Sequence, residues 1–516
     1  MTRLVKKTLL VFITFIALAL QACGPEAKSK NELRATISTE PPTLDPNLAT
    51  DTISFFLLNQ LYDGLTQFDE NLNVLPAAAL SWDISSDGLT YRFQLNPNGC
   101  WSDGAPVTAQ NFIDSWLRLL DPKTAAPYAY FLYPIRGAKS FNEGKTTNPK
   151  TVGLTADGNF TLVVELETPT VFFPQITTFM VTFPIRLPKD PQTFIGNGAY
   201  RLKSWKHDDH LVLQKNELYS GLPKPQLEKI TLSIVPEAIT ALALYERGDI
   251  DYVAIPPLAI DALRTRPDHI MVRKLRGYYY GFNLTLPPYN DVRLRKALAM
   301  SLDKREIPQL LHGGEIAVNS WVPPGLFGYA PDIGLTFNPA DAKALLLEAF
   351  GKSGPGPLDL TFNYDATNKR LAEWAQGQWK KNLGLEVTLV NEEWKSFLNH
   401  LHRQPPGLYR MGWGADYPDP DNFLNLFTSY SGNNHTKGKN AAYDKLITEG
   451  ARTSDPKLRK AIYDQAQRFL LEDDVAIIPL FVSTSHYLVS PRVAPLKINA
   501  LDILYFKTVR TKTKAD

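Results

Sequence analysis

The segment from Leu358 to Val390 constrains the fold of this chain most, because it predicts a strand, a helix and a second strand in direct succession. Apolar side chains alternate in LDLTFNY (358–364), as in a half-buried strand, and LEVTLV (385–390) is also strand-like. The intervening NKRLAEWAQGQWKKNLG (368–384) predicts a helix that ends at a glycine. A strand, helix and strand at this spacing form a βαβ unit with two parallel strands and a right-handed crossover. The fold class is therefore α/β.

Other segments carry compatible local signals. The segments LRATIS (33–38), YRFQL (91–95) and FTLVVEL (160–166) predict strands between turn-forming residues. Two further segments predict capped helices, TAQNFIDSWLRLL (108–120) after an N-cap at Thr108 and NPADAKALLLEAFG (338–351) between an N-cap at Asn338 and Gly351.

The size and composition are those of a globular protein. The chain has 516 residues, 44% of them hydrophobic and 21% charged, which is enough for two or three domains with large cores. These values exclude a disordered chain and a bundle of membrane helices.

The N-terminal residues have the pattern of a bacterial export signal. Three cations precede an apolar run at 9–20, which is too short to span a bilayer. An alanine before Cys23 resembles the lipobox of bacterial lipoproteins, in which the cysteine is acylated and becomes the new N-terminus. We therefore predict a signal peptide at 1–22, a lipidated Cys23 and a tether at 23–31. The body would be extracytoplasmic, in a periplasm or at the cell surface, and anchored to a membrane.

Ordinary signal cleavage is the alternative, and it would leave Cys23 free or paired with Cys100. Removal of 1–22 takes away three cations and no acid, so the formal net charge goes from +2 to −1. Because nucleic-acid binding depends on a basic surface, we expect no nucleic acid as a partner.

The sequence lacks the common signatures of catalysis. H-E-x-x-H and G-x-S-x-G do not occur, and the GKS at 351–353 lacks the first glycine of a Walker motif. The pairs His207 with His210 and His400 with His402 could bind a metal, but their polar surroundings favour solvated surface residues. The sequence predicts a binding protein without cofactor or metal rather than an enzyme.

One carboxylate without a neighbouring cation stands in MGWGADYPDPDNF (411–423). Asp416 lies between Trp413 and Tyr417, beside two glycines that let a backbone come close. Aromatic rings exclude water, so a carboxylate beside them needs a cation. The segment follows a predicted strand, and ligands of open α/β sheets bind outside strand ends. Asp416 is therefore a candidate ligand-binding residue, with pairing to Arg410 or helix capping as the alternatives.

An ordered set of segments resembles the family 5 extracellular solute-binding proteins of ABC importers, and most of all the members that bind oligopeptides. Each segment alone is weak, but the set is specific and runs in family order from residue 40 to beyond 410. The segments are EPPTLDP (40–46), LYDGL (61–65), SDGLTYRFQL (86–95), WSDGAPVTAQNF (101–112), DPKTAAPYA (121–129), GNGAY (196–200), NDVRLRKALAMSLDKREI (290–307), NEEWKSFL (391–398) and GWGADY (412–417).

The resemblance implies a two-lobed periplasmic-binding-protein-like fold of type II, in the large cluster with an extra domain. The ligand would lie in the interlobe cleft, and the lobes would close on it. By this analogy lobe I comprises 32–63, 187–276 and 484–516, the extra domain is 64–186, and lobe II is 277–483.

The resemblance also implies a ligand-binding set. Asp416 takes the place of an aspartate that accepts the α-ammonium of a bound peptide, and a charge-assisted bond in a closed cleft is short and strong. The peptide would otherwise be held through its backbone, as in strand addition. The other implied contacts are Gly412 at the peptide backbone, Arg410 at the carboxylate end, Asn363, Tyr279 and Tyr128 along the peptide, and Trp413 and Trp394 as walls of side-chain pockets. For each aromatic residue, core packing is the alternative.

Some positions depart from the family pattern. A histidine that serves a longer peptide is replaced by Asn368, a second arginine by Leu401, and an acid near the ligand's amino terminus by Thr50. The two positions of a disulfide hold Arg276 and Gly414, so that bridge cannot form here. Peptide as the ligand class survives these changes, but preferred length and register do not carry over.

We therefore expect a monomeric lipoprotein that captures oligopeptides and delivers them to the membrane permease subunits of an ABC transporter. Lobe closure would give the permease a shape to recognise. Two alternatives stay open. One is the same carrier with another cargo, such as a murein peptide, a metal chelate, haem or an oligosaccharide, and the other is a surface enzyme or adhesin on the same scaffold.

Overall fold

The computed structural model describes residues 31–186 and 193–512. The predicted signal peptide, the predicted lipidation site Cys23 and the tether up to residue 30 lie outside the described residues. Within the described ranges, no helix is both long and apolar enough to cross a bilayer.

The first sheet joins segments that are far apart in the sequence. The strand Glu32–Ile37 pairs in parallel with Lys229–Ile234. The ladder continues antiparallel through His210–Lys215 to Tyr200–Lys206. The parallel pair joins distant segments, whereas Tyr200–Lys206 and His210–Lys215 form a local hairpin. Local sequence patterns therefore do not predict the full strand order.

A larger sheet, here called the central sheet, contains the two long strands His269–Phe282 and Ile477–Val489, which pair antiparallel. Its strand order is Tyr252–Ala254, Ile477–Val489, His269–Phe282, Leu408–Gly414, Leu358–Asn363 and Val387–Glu392, with Ile316–Ala317 also paired to Ile477–Val489. Both long strands cross the predicted boundaries between lobe I and lobe II, at 276/277 and 483/484. Their register shifts between Arg273 and Gly277. The division into lobes and an extra domain stays a prediction.

The remaining strands form smaller sheets around the helices. One sheet has the order Ala79–Ile84, Thr90–Leu95, Thr161–Glu165 and Leu154–Ala156, and the two-stranded ladders are Thr66–Phe68 with Val74–Pro76 and Val493–Ala494 with Arg510–Thr511. The α-helices are Thr52–Leu61, Ala109–Leu120, Ala138–Asn142, Phe173–Ile176, Ala238–Glu246, Ile260–Leu263, Val292–Met300, Ile307–Leu311, Pro339–Phe350, Ala366–Leu383, Trp394–Arg403, Pro420–Leu424, Ala441–Arg452 and Pro456–Arg468.

The predicted βαβ unit is confirmed. Leu358–Asn363 pairs in parallel with Val387–Glu392, and the helix Ala366–Leu383 connects them. Trp379 on this helix is fully buried, and its indole N–H donates to the Leu298 carbonyl at 3.0 Å. An apolar face and a satisfied indole thus dock the helix on the sheet.

The predicted helix starts are confirmed as well. The Asn338 side chain accepts a hydrogen bond from the Asp341 N–H at 3.2 Å, and the helix begins at Pro339. Thr108 precedes the helix Ala109–Leu120. Side-chain caps satisfy N–H groups that the first helical turn leaves unpaired, which makes them readable in sequence.

Candidate functional site

The strand Leu408–Gly414, here called the site strand, positions the candidate site within the central sheet. It pairs antiparallel with His269–Phe282 along its whole length. Leu358–Asn363 pairs with it in parallel only at Leu408 and Tyr409. Among the described residues, the second half of the site strand is therefore paired on one side only.

Hydrogen-bond parity shows which main-chain groups face the unpaired side. The Ala415 N–H donates to the Leu275 carbonyl at 2.8 Å. Hydrogen-bonded and non-hydrogen-bonded pairs alternate in an antiparallel ladder. The main-chain groups of Trp413 therefore also face the strand His269–Phe282. The main-chain groups of Gly412 and Gly414 point the other way. We call this side of Gly412 and Gly414 the open edge.

The two glycines also make room for side chains of the neighbouring long strand. A Cβ atom at Gly412 would lie 2.5 Å from Cδ1 of Tyr278, and one at Gly414 would lie 3.0 Å from Nε of Arg276. Real Cβ contacts are not this short without a shift of the neighbour. Tyr278 and Arg276 thus extend across a strand that has no side chains at these positions.

Asp416 follows the site strand and carries a carboxylate that no cation of the described residues neutralises. Its main-chain N–H donates to Oδ1 of Asn422 at 3.1 Å. Its half-buried side chain has no hydrogen-bond or ion-pair partner within 31–186 and 193–512. Burial raises the pKa of this carboxyl from 3.8 to about 7, because the charged form loses hydration without gaining a counterion. Its expected pairing with Arg410, the alternative drawn from the sequence, does not occur.

Asp416 lines a cavity of about 260 Å³ between distant parts of the chain. Tyr128 lies in the same wall, with its ring 6.0 Å from that of Phe55 and 5.6 Å from that of Phe179. Burial, together with the charge of Asp416, raises the pKa of the Tyr128 hydroxyl to about 12. That hydroxyl therefore stays a hydrogen-bond donor at neutral pH. The other lining residues include Thr50, Thr52, Phe56, Asn59, Lys274, Arg276, Gly414, Ala415 and the segment from Ala500 to Leu504.

Arg410 and Asn363 are brought together at a second place along the site strand. Arg410 donates from Nη1 to Oδ1 of Asn363 at 3.3 Å, and its guanidinium lies 4.4 Å from the ring centre of Tyr278. Nδ2 of Asn368 donates to the same Asn363 oxygen at 3.1 Å. Nε of Arg410 is buried and has no partner in the described part of the chain.

Trp413 and Trp394 differ in their surroundings. The Trp413 indole N–H donates to Oδ1 of Asn422 at 2.8 Å, so one amide oxygen fixes both this ring and the Asp416 backbone. Trp394 begins the helix Trp394–Arg403 and is 47% exposed. It stands 6.2 Å from Phe397 and leaves most of its ring free for contact.

Tyr279 is packed in the hydrophobic core. It is 3% exposed, and its ring contacts Trp321 at 4.9 Å, Phe427 at 5.7 Å and Tyr409 at 6.5 Å. This placement corresponds to the packing alternative considered for the aromatic residues. A ligand contact for Tyr279 stays a prediction.

Sequence reasoning missed three charged or polar residues at the site. Asn422 holds the Asp416 turn, and nothing in its local sequence marks that role. Lys274 and Arg276 lie on the strand His269–Phe282 and line the cavity. Lys274 is paired with Asp502, whereas Arg276 is exposed and has no acidic partner among the described residues. The family resemblance singled out Arg276 only as one position of a missing disulfide and not as a residue of the site.

A buried ion pair supports the loop behind Asp416. Nη2 of Arg459 lies 2.7 Å from Oδ1 of Asp419, which accepts the Asp421 N–H and caps the helix Pro420–Leu424. Both side chains are less than 10% exposed. Tyr417 in the same loop stacks on Phe172 at 5.1 Å with ring planes 10° apart. The loop is thus fixed to the segment predicted as the extra domain.

The predicted histidine pairs have other partners. His207 lies 3.3 Å from Oε1 of Glu40, and His400 lies 2.9 Å from Oε1 of Glu392. Among the described residues, no group of three His, Cys, Asp or Glu side chains could hold a metal ion. Among the described residues, Cys100 has no disulfide partner, and its alternative pairing with Cys23 lies outside them.

Comparison with protein families gives a match over most of the chain. The model of bacterial extracellular solute-binding proteins, family 5, matches residues 73–435. The chain is 30% identical to the oligopeptide-binding protein OppA of Bacillus subtilis over 542 aligned positions, which cover 98% of this chain and 99% of that protein.

Solved structures give the same result at the level of fold. A periplasmic murein tripeptide-binding protein, MppA, in its unliganded open form superposes with a TM-score of 0.83 at 31% identity, covering 95% of this chain and 99% of that one. Haemophilus influenzae OppA in complex with the peptide RPPGFSPFR superposes with a TM-score of 0.75 at 28% identity, covering 95% and 100%. The two-lobed α/β fold predicted from the resemblance is confirmed.

Proposed function

Because this chain belongs to the family 5 bacterial extracellular solute-binding proteins, we propose that it captures oligopeptides in its cavity and delivers them to the membrane permease of an ABC transporter. The observation that carries the peptide assignment is the Asp416 carboxylate, which is partly buried in a cavity and has no cation partner in the described chain. A peptide α-ammonium would supply the missing charge and hydrogen bonds in one group.

The open edge supplies the second element of peptide recognition. Main-chain N–H and C=O groups of Gly412 and Gly414 face a side where no strand of the described residues pairs with them. An extended peptide can add there and satisfy these groups through its own backbone, which is independent of its sequence. The peptide amino terminus would then lie at Asp416 and its chain would follow the site strand toward Arg410. Tyr128 and Trp394 would contact its side chains, and the Arg410 guanidinium its carboxylate end.

The test is calorimetry with an unlabelled tetrapeptide and its N-acetylated form. Loss of a charge partner in a desolvated site costs 2–5 kcal/mol, so we expect acetylation to weaken binding by about 100-fold. Asp416→Asn should lose this discrimination, whereas Asp359→Asn, an exposed aspartate outside the cavity, should retain it. Equal affinity of the wild type for both peptides would remove Asp416 from its assigned role.

A murein tripeptide is the second candidate ligand, because the MppA structure named for this ligand superposes well. Both candidates are peptides, so they must be compared directly. Competition of a murein tripeptide against an ordinary tetrapeptide in the same calorimeter separates them. The tighter ligand identifies the class.

The lipid anchor at Cys23 and the monomeric state belong to the same proposal. Acylation would hold an extracytoplasmic receptor near its permease. Mass spectrometry of the protein purified from bacterial membranes should show a diacylglyceryl mass on the N-terminal cysteine, and Cys23→Ser should release the protein from the membrane fraction.

A further inference from the structure

The cavity at Asp416 contains two charges of opposite sign that do not neutralise each other. Asp416 and Arg276 both line it, yet no ion pair joins them and neither has another charged partner among the described residues. Lys274, the other cation of the wall, is already paired with Asp502, which also accepts the Tyr487 hydroxyl at 2.9 Å. One anion and one cation are thus left for a ligand.

The position of Arg276 directs its charge toward the open edge. Arg276 lies directly opposite Gly414 in the ladder between the long strand and the site strand. Its Nε and Nη2 atoms lie 3.0 and 3.4 Å from the place of a Gly414 Cβ. The guanidinium therefore crosses the site strand at a residue without a side chain, and beyond that residue lies the unpaired side of the strand.

The spacing between Gly414 and Asp416 indicates how far Arg276 lies from the amino terminus of a bound peptide. Gly414 and Asp416 are two residues apart, which is about 7 Å along an extended backbone. An anion held by Arg276 is then about this far from an ammonium held by Asp416. A side chain of the first or second residue of a peptide can reach this far from the peptide's amino terminus. The terminal carboxylate of a tetrapeptide lies farther along the site strand.

We propose that Arg276 binds a side-chain carboxylate carried by the first or second residue of the peptide, so that this protein prefers ligands with an acidic residue next to the free amine. The guanidinium fork suits a carboxylate better than a neutral amide, because both of its N–H groups find acceptors. This inference rests on the proposed function and refines its ligand class.

The experiment compares matched tetrapeptides by calorimetry. The pairs are Asp against Asn at the first position, Glu against Gln at the second, and Glu against Gln at the third as the distant control. A hydrogen bond to a charged group is stronger than one to a neutral group, so the wild type should bind the acidic member of the first or second pair about tenfold or more tightly. The third pair should differ by less than about twofold.

Arg276→Gln should abolish this preference while the sensitivity to N-acetylation remains. Arg273→Gln is the matched control, because Arg273 is exposed on the same strand, carries the same charge and does not line the cavity. Equal affinity for acid and amide at both positions in the wild type overturns the inference but leaves peptide capture intact. A preference that survives in Arg276→Gln also overturns it. Absence of binding by every peptide overturns the proposed function and the inference with it.

Discussion

At the scale of single residues, Asp416 combines two demands that oppose each other. A ligand needs its charge, but the cavity makes that charge costly, since burial raises the pKa of its carboxyl to about 7. The residue was identified from its motif, yet the pKa of its carboxyl could not be, because most of the surrounding wall comes from segments that are far away in the sequence. Segments near Thr50, Tyr128, Lys274 and Ala500 build that wall.

The first prediction concerns the pH dependence of binding. A peptide ammonium pairs with the ionised carboxylate only, so below about pH 7 binding must release the Asp416 proton. We expect affinity to fall by up to tenfold per pH unit between pH 7 and 5. Above pH 8 it should fall again, because the peptide amine, with a pKa near 7.7–8.0, loses its charge. Calorimetry at pH 5.5, 7.5 and 9 measures the profile.

Asp416→Asn serves as the control for that profile, since the part of the acidic limb that this carboxyl causes should disappear. Lys274 lines the same cavity and still titrates in this range, because burial lowers its pKa to about 7. His435 is buried, and burial lowers the pKa of its imidazole to about 4, so its ionisation does not overlap this range. An affinity of the wild type that is the same at pH 5.5 and 7.5 would contradict the assignment of Asp416.

The second prediction is that Asp416→Asn stabilises the free protein at neutral and higher pH. The pKa of this carboxyl is higher in the folded protein than in the unfolded chain, so its ionisation disfavours folding. That cost begins as pH rises through about 4 and is complete above about 7. We expect the variant to gain about 1–2 kcal/mol at pH 8 and nothing at pH 4, measured by denaturant unfolding. Stability equal to wild type at pH 8 would show that the carboxylate is well solvated.

At the scale of elements, the sequence predicted those features that local chemistry decides. The Asn338 cap, the alternation in Leu358–Asn363 and the parallel βαβ unit all follow from neighbours a few positions apart. The pairing of Glu32–Ile37 with Lys229–Ile234 does not, because no periodic pattern encodes a partner so distant. Family resemblance supplied the two-lobed architecture that periodicity could not.

The third prediction concerns the loop that carries Asp416. Arg459 is the only ion-pair partner of buried Asp419 within the described chain, and breaking such a pair leaves an uncompensated charge. Arg459→Leu should lower the free energy of unfolding by about 3–5 kcal/mol. The double variant with Asp419→Asn should recover much of this loss, since asparagine still caps the helix Pro420–Leu424.

The exposed pair Arg468–Glu472 provides the matched control, with 52% of the arginine side chain accessible. Removal of a solvated i,i+4 pair costs about 0.5 kcal/mol or less, so Arg468→Leu should unfold almost as wild type does. Denaturant titration of the three variants compares them. If Arg459→Leu matched Arg468→Leu, the buried pair would contribute nothing to holding the loop.

At the scale of the whole molecule, the site depends on how distant segments approach each other. The cavity wall draws on the N-terminal helix region, the segment around Tyr128, the long strand and the C-terminal segment, together with the loop after the site strand. The family resemblance predicted that Asp416 and Tyr128 contact the same ligand, and in the structure both residues line one cavity. It did not find Arg276 or Asn422, since both act through tertiary contacts that single-residue comparison does not show.

The fourth prediction is closure upon ligand binding. The chain superposes on the unliganded open form of MppA with a TM-score of 0.83. A ligand that contacts Asp416 on one side and Tyr128 on the other binds the closed arrangement more tightly and so shifts the equilibrium toward it. The long strands would bend where their register shifts, between Arg273 and Gly277.

Small-angle X-ray scattering should show the radius of gyration falling toward about 24 Å, the value of a compact chain of this length. The N-acetylated peptide at the same concentration should leave the radius of gyration unchanged, and an unchanged radius with the free peptide at saturation would exclude closure as the response that a permease could recognise.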